Sequence, residues 1–508
     1  MITIDGEHLT IEDVVKVARG FENVKLDSKV KEKVEKARLT VEKVIQSGKT
    51  VYGINTGFGE LAKVRISKDE IDDLQRNLIR SHSCGVGKML STEMVRAMMV
   101  LRANSLAKGY SGVRLKILET LVEMLNKRVH PVVPSKGSLG ASGDLIPLAH
   151  IALAMMGEGK VEYKNKRYEA KKGLKEASVK PVTLKAKEGL ALINGTQLMT
   201  AYCVFAVYDT ELLLKNAQIA GVMSLEALKG TDQAFREELH RLRPHKGQII
   251  CAKNLWRLTR KSEIIKSHKD CSKVQDAYTL RCIPQVLGAV YDVVSFARST
   301  TETEINSVTD NPIVLPNQNE IVSGGNFHGQ PLALALDTLS IAVATIGTLS
   351  ERRIARLTDS CLSELPPFLT PKSGLNSGFM LPHYVAASLV NENKILSHPA
   401  SVDTIPVSAN QEDHVSMGAT AGYKLQKIIE NVQQIIAIEY LSAAQGLEFL
   451  KPLKPSPPIK EAYDEIRTKI PELKKDRPLY EDIKKMVEMV KKGLIIKAVE
   501  ERIGKPLE

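Results

Sequence analysis

The feature that most constrains the fold is a series of long helical hydrophobic patterns in the second half of the chain. They run over 200–228, 284–308, 331–357 and 417–450. In the last, Leu425, Ile428, Ile429, Val432, Ile435, Ile436 and Tyr440 keep a wide apolar stripe at helical spacing. Helices this long exceed what one compact domain needs, and their apolar faces suit a bundle that also serves subunit contacts. Lys454-Pro-Ser-Pro-Pro458 breaks the pattern before a charged helical tail. The expected fold class is therefore mainly α. A long-helix bundle with the C-terminal tail is expected over 198–508, and a smaller mixed, mostly helical N-terminal lobe over 1–197.

Composition agrees. With 508 residues, 43% of them hydrophobic, the chain can bury a large core in more than one lobe. Aromatic residues are only 5%, with Trp256 the sole tryptophan, whereas a barrel or sandwich normally carries more aromatic and β-branched residues. The net charge of +12 superficially flags nucleic acid. The lysines are interspersed with glutamates even in the densest run, 160–187, and no arginine-rich stripe with interleaved aromatics occurs. A solvated lysine-rich surface is the preferred reading, with no nucleic-acid partner.

Cys84, Cys203, Cys251, Cys271, Cys282 and Cys361 are scattered without a CxxC pair, which suggests a reducing cytosol. Charged Asp5 interrupts the N-terminus before any apolar signal region. The longest apolar stretch, 332–349, contains Asp337 and several hydroxyl residues and reads as a buried helix instead of a membrane span. A soluble, cytoplasmic protein is expected.

In the first lobe, Ile2 and Ile4 suggest a short strand, and a helix begins near Thr10. Ser91-Thr92-Glu93 caps another helix that Gly109 stops. The glycine-rich stretches 52–59 (YGINTGFG) and 83–87 (SCGVG) read as loops, where functional groups tend to be mounted.

The stretch 137–149, GSLGASGDLIPLA, places three glycines within seven residues before an apolar helical run. Such a turn at a helix start can hold an anion on its amides, but the P-loop lysine and the GxGxxG order are both missing. Another chemistry is open at Ala141-Ser142-Gly143. If the turn presses the Gly143 nitrogen against the Ala141 carbonyl carbon, the backbone can cyclise, and loss of water turns Ser142 into an exocyclic methylene. Glycine leaves the approach clear and serine supplies the leaving hydroxyl. An ordinary glycine turn remains the alternative from spacing alone.

The segment GSLGASGDLIPL resembles the signature of the aromatic amino-acid ammonia-lyase family. Similarity continues through MITIDG, YGINTGFG, RANSLAKGYSG, LINGTQ, VQDAYTLRCIPQ, SVTDNPI, SGGNFHGQ, SERRIARL, ANQEDHVSMG and DRPL, in an order and spacing that cover nearly the whole chain. The resemblance implies that Ala141, Ser142 and Gly143 form the prosthetic group 4-methylideneimidazole-5-one (MIO), with no external cofactor and no metal. It places that loop in the N-terminal lobe. It implies a homotetramer whose active sites combine residues of several subunits.

The resemblance also assigns roles. Tyr52 matches the catalytic base; an ordinary tyrosine pKa near 10 means that it needs a depressed pKa or alkaline operation. Arg281 matches the arginine that grips the substrate carboxylate, a task for which the guanidinium fork is suited. Asn194 matches the asparagine that hydrogen-bonds the prosthetic ring carbonyl. Gln275, Tyr278 and Phe327 match residues lining the pocket. Asn311 and Asn326 divide evenly between site and turn roles.

Substrate choice is expected at two positions. Ser81-His82 is the pair seen in the histidine-specific members, whereas tyrosine and phenylalanine members carry His-Leu or Phe-Leu one residue earlier. Glu412 matches a glutamate of the histidine members, where the others read NQD. A carboxylate facing imidazole is a sensible recognition pair, since an unpaired ring nitrogen in a desolvated pocket costs about 1–3 kcal/mol. The expected reaction is elimination of ammonia from L-histidine to give trans-urocanate, the first step of histidine degradation. His383 and Lys88 depart from the family pattern, which commonly has glutamine and glutamate there.

Three other readings make different demands. A tyrosine or phenylalanine ammonia-lyase, or an aminomutase, would lack the Ser81-His82 and Glu412 combination. A non-catalytic helical scaffold has no need of Ala-Ser-Gly. A metal-dependent lyase requires ligand spacing that His240, His245, His328, His398 and His414 do not supply.

Overall fold

The computed structural model describes residues 1–48, 50–57, 59–269 and 274–508, and among them twenty-one α-helices and nine short strands. Helix starts follow local chemistry. Thr10 caps Ile11–Ala18 in a reciprocal capping box, its Oγ1 accepting from the Asp13 amide at 3.1 Å. Ser91 caps Thr92–Ala107 by accepting from the Met94 amide. That helix ends at Ala107, just before Gly109 in the left-handed region.

The chain divides into two compact units. One comprises 1–205, 297–337 and 399–423; the other comprises 206–296, 338–398 and 424–508. All nine strands fall in the first unit, and among the described residues the second is built of helices. The mainly α class with a mixed N-terminal lobe is thus what forms. The first unit, however, draws in chain from beyond residue 197.

In the first unit, Ile2–Ile4 pairs in parallel with Val24–Leu26, and His130–Pro131, Lys160–Tyr163 and Lys166–Glu169 make a three-stranded antiparallel sheet. One loop expectation needs correcting. Val86–Met89, which takes in the last two residues of the glycine-rich 83–87 stretch, forms a strand paired antiparallel with Pro134–Lys136. A register irregularity lies between Val86 and Met89, a bulge in which Gly87 takes φ +91°. The glycine marks a distorted strand there, and the sequence pattern alone reads the same as a loop.

The four long helices appear as Gln197–Ala227, Ile283–Ile305, Gln330–Thr358 and Gly418–Glu448. The stripe Leu425, Ile428, Ile429, Val432, Ile435, Ile436 and Tyr440 is buried throughout. Each such aliphatic side chain contributes about 1.5–3 kcal/mol of burial free energy. The Gln330–Thr358 helix is long and apolar enough to cross a membrane, yet 61% of its most apolar window is buried within the protein.

Within the second unit a charge pair is sealed into the helical core. Arg353 and Glu439 are both fully buried, with Arg353 Nη2 donating to Glu439 Oε2 at 2.9 Å. Ser224 Oγ donates to Glu439 Oε1 at 2.8 Å, and Ser350 donates to Oε2. His383, the departure from the family pattern, contacts Glu351 Oε1 through Nε2 at 2.8 Å. Burial pushes the Glu351 carboxyl up, but hydrogen bonds from His383 and Arg352 outweigh it and hold the group at about 2. Lys88 lies on the exposed Val86–Met89 strand.

The buried pair supplies a stability test. Arg353→Met leaves the Glu439 charge uncompensated and is expected to cost about 3–5 kcal/mol, whereas Arg353→Met with Glu439→Gln removes both charges and costs less. Urea unfolding followed by circular dichroism should rank the single variant below the double; the reverse order would mean that Glu439 is satisfied without Arg353.

Candidate active site

The loop 141–143 is set by a contact that only glycine permits. Gly143 has φ +71°, and a Cβ there would come within 2.2 Å of the Gly195 carbonyl oxygen. The two glycines form an isolated bridge, continued by the Asp144 amide donating to the Gly195 carbonyl at 2.7 Å. Asp144 then anchors the turn. Its fully buried carboxylate accepts from Ser138 Oγ at 2.7 Å and from the amides of Leu198 and Met199 at 2.9 Å each, at the start of Gln197–Ala227. Those amides lack partners inside their own helix, so the carboxylate satisfies them and meets the positive end of the helix dipole. Burial pushes the Asp144 carboxyl up to about 6, with these hydrogen bonds working against it.

Opposite the loop stands the segment bearing Glu412. Val407 and Glu412 pair across a tight turn in which Ser408, Ala409 and Asn410 all have positive φ, at 53°, 53° and 66°. Only Asn410 among them tolerates this conformation readily, so the turn stores strain of the kind that clusters at functional sites. It brings Glu412 Oε1 to 3.4 Å from Ser142 Oγ, which donates to it. Burial raises the Glu412 pKa above the usual glutamate value, the Ser142 hydrogen bond opposing.

Two cavities border the loop, both lined by Ala141 and Glu412. The first, about 440 Å³, holds Tyr52, Ser142, Asn194, Asn311 and Phe327, together with Lys63, His328, Gln411, Asp413 and His414. The second, about 360 Å³, holds Ser81, His82, Cys84 and Gly143. His82 is the last residue of Ile71–His82; its Nδ1 lies 3.0 Å from Ser81 Oγ, and burial lowers its pKa, favouring neutral imidazole. The expected residues Tyr52, His82, Ala141, Ser142, Gly143, Asn194, Phe327 and Glu412 are thus gathered around one loop. Gln275, Tyr278 and Arg281 belong to the other compact unit and are not among the residues lining either cavity. There the Arg281 guanidinium lies 4.7 Å from the Tyr278 ring centroid, and the tyrosine is 71% exposed.

The evenly weighed pair separates: Asn311 lines the first cavity, while Asn326 Nδ2 donates to the Val308 carbonyl at 3.3 Å. His328, which the sequence shows only as a histidine outside any metal-ligand spacing, is a wall residue of the first cavity. It stacks on His414 with centroids 5.8 Å apart and hydrogen-bonds the His414 carbonyl through Nε2 at 3.2 Å. Its sequence signal is its place in SGGNFHGQ, next to Phe327. Among the described residues no group of three or more His, Cys, Asp or Glu is placed to hold a metal ion.

The residues present fit a prosthetic group made from the loop itself. Gly143 carries no Cβ, Ser142 offers a hydroxyl at the cavity wall, and Asn194 a buried Oδ1 with no partner among the described residues.

A family model described as aromatic amino acid lyase matches residues 9–468. The chain is 51% identical over 502 residues to the histidine ammonia-lyase of Alkaliphilus oremlandii, a match covering 99% of each. The crystal structure of histidine ammonia-lyase from Trypanosoma cruzi matches with a TM-score of 0.92 at 41% identity, over 99% of this chain and 95% of that one. Tyrosine aminomutase from Streptomyces globisporus matches with a TM-score of 0.95 at 37% identity, over 100% of both chains. The fold is the one these ammonia-lyase and aminomutase structures share. The chain belongs to the aromatic amino acid lyase family.

Tyr52 titrates in the direction opposite to a ready base. Burial raises its phenol above the ordinary value, the nearby Glu412 charge raises it further, and a hydrogen bond from the Gly59 amide opposes both. The phenol is therefore neutral at pH 7, and its phenolate belongs to the alkaline range. Glu412→Gln removes a charge that disfavours the phenolate, so the rising limb of the kcat profile should move to lower pH. A limb that stays in place or moves up would show that Tyr52 does not set it.

Proposed function

We propose that this protein is a histidine ammonia-lyase that converts L-histidine to trans-urocanate and ammonia. The observation that carries this reading is Glu412, one carboxylate that borders both cavities around the Ala141-Ser142-Gly143 loop and touches Ser142. An imidazole N–H is a natural donor to it, and neutral His82 offers a second polar partner across the loop. A phenyl ring would leave that carboxylate desolvated and unpaired. The histidine ammonia-lyase names of the relatives support the same substrate.

Ala141, Ser142 and Gly143 supply the MIO group, an electrophile that draws electrons from the substrate amine and makes its nitrogen a better leaving group. Tyr52 takes the β-proton once alkaline conditions favour its phenolate. Asn194 hydrogen-bonds at the ring and Phe327 packs beside the substrate. In a homotetramer whose active sites combine residues of several subunits, Arg281 grips the carboxylate, with Tyr278 and Gln275 lining the same pocket. The place of action is the cytoplasm, at the first step of histidine degradation.

An ultraviolet assay with L-histidine, L-tyrosine and L-phenylalanine tests the substrate. Urocanate from histidine alone is expected; cinnamate or coumarate would overturn the reading while keeping the lyase chemistry. Ser142→Ala should abolish turnover with the fold intact, and normal activity in that variant would defeat the MIO assignment. Glu412→Ala should weaken histidine use by a factor of about ten or more, the scale of one lost charge-assisted hydrogen bond, while leaving thermal stability nearly unchanged. Unaltered kinetics would remove Glu412 from the pocket.

A further inference from the structure

The first compact unit buries a lysine that the chemistry above does not use. Lys187 and Asp310 are both 0% exposed, with Lys187 Nζ 2.7 Å from Asp310 Oδ2. Desolvating two charges consumes most of what their attraction returns, so such a pair contributes little net stability. What it does contribute is a fixed geometry, and that geometry leads to the active site. Asp310 Oδ1 accepts from the backbone amide of Asn311 at 2.7 Å. The Asn311 carbonyl accepts from Asn194 Nδ2 at 3.0 Å, and Asn311 Oδ1 accepts from the Gly324 amide at 2.7 Å.

Lys187 and Asn194 are also the two ends of one short helix, being the N-cap and C-cap of Glu188–Ile193. The consecutive residues Asp310 and Asn311 therefore hold that helix at both ends. The Asn194 carbonyl is held separately, by Arg102 Nη1 at 2.7 Å. With backbone and Nδ2 both fixed, the orientation of the Asn194 amide is determined. Its Oδ1 is left buried and without a partner among the described residues, in a residue 3% exposed that lines the cavity beside Tyr52 and Ser142. A buried acceptor in that condition calls for a donor.

We propose that Lys187 and Asp310 are positioning residues that orient the Asn194 amide so that its Oδ1 accepts a hydrogen bond from the substrate ammonium. The assignment rests on the histidine ammonia-lyase reading, because it takes the occupant of the cavity to be an α-amino acid. It adds an acceptor role to Asn194, whose Nδ2 retains a second hydrogen for the ring.

The test uses the full-length Ser142→Ala protein, which cannot turn over, and two ligands that differ only in the amine: L-histidine and 3-(imidazol-4-yl)propanoate. Ligand-observed NMR titration gives both affinities. Adding Lys187→Met with Asp310→Asn removes both buried charges without stranding either. This combination should weaken L-histidine binding about tenfold or more and leave the desamino ligand within about twofold. Asn194→Ala should give the same selective loss, whereas a merely structural role would lower both affinities together. Equal loss of both ligands, or no loss of either, overturns the assignment. If the Ser142→Ala protein itself fails to bind L-histidine, the substrate reading falls first and this assignment with it. In the active enzyme the double variant should lower kcat/KM for histidine about tenfold or more; unchanged kinetics would likewise count against it.

Discussion

Residues 143 and 195 meet with no room for a side chain between them. A Cβ on Gly143 would collide with backbone that cannot move aside, and one on Gly195 would lie 2.6 Å from both Arg102 Nη1 and Gln197 Oε1. The contact joins two segments far apart in sequence, the turn before Leu145–Met155 and the turn before Gln197–Ala227. Asp144 locks the junction by giving its carboxylate to the first amides of the long helix. The junction holds the 141–143 turn in place with backbone and one buried carboxylate. Asn194, Ser142 and the cavity walls inherit their positions from it.

Buried charge recurs in each compact unit and serves a similar end. Arg353 with Glu439 in one, and Lys187 with Asp310 in the other, are enclosed where apolar residues would give comparable stability. An apolar core tolerates slippage of one side chain past another, while a hydrogen-bonded charged pair is held to fewer arrangements. Long helices with broad aliphatic stripes have many near-equivalent packings, so a few such pairs narrow the choice.

Periodicity and capping were readable because they are local. The stripe from Leu425 to Tyr440, the Thr10 and Ser91 caps and the four long helices all follow from spacing within a few turns. Val86–Met89 escaped because a glycine bulge in a strand and a glycine loop share one pattern. The joining of 297–337 and 399–423 to the first unit is a tertiary outcome that no local signal carries. The candidate site divides likewise. Family motifs pointed to Tyr52, Asn194, Ser142 and Glu412, which gather around the loop. They gave no hint of Lys187 or of the left-handed turn at Ser408 to Asn410, because these act through geometry instead of through their own chemistry. The upward shift of Tyr52 was equally hidden, since it arises from burial and from a carboxylate distant in sequence.

Selectivity within this fold cannot come from the backbone. The tyrosine aminomutase structure and the histidine ammonia-lyase structure match the chain with TM-scores of 0.95 and 0.92, so one framework serves unlike side chains. What varies must be mounted on it; here His82 stands at a helix end and Glu412 beside a turn with three positive-φ residues. Such sites change side chains without disturbing helix packing, which is why loops carry specificity on conserved scaffolds. Imidazole differs from phenyl or phenol in having a ring donor and a ring acceptor together. A half-buried carboxylate, already costly to keep ionised, is satisfied by the donor and left unpaired by a ring without one. A carboxylate facing the ring thus acts in two ways, and the penalty for an unpaired buried acceptor, about 1–3 kcal/mol, is as large as the gain from the bond a ring donor forms.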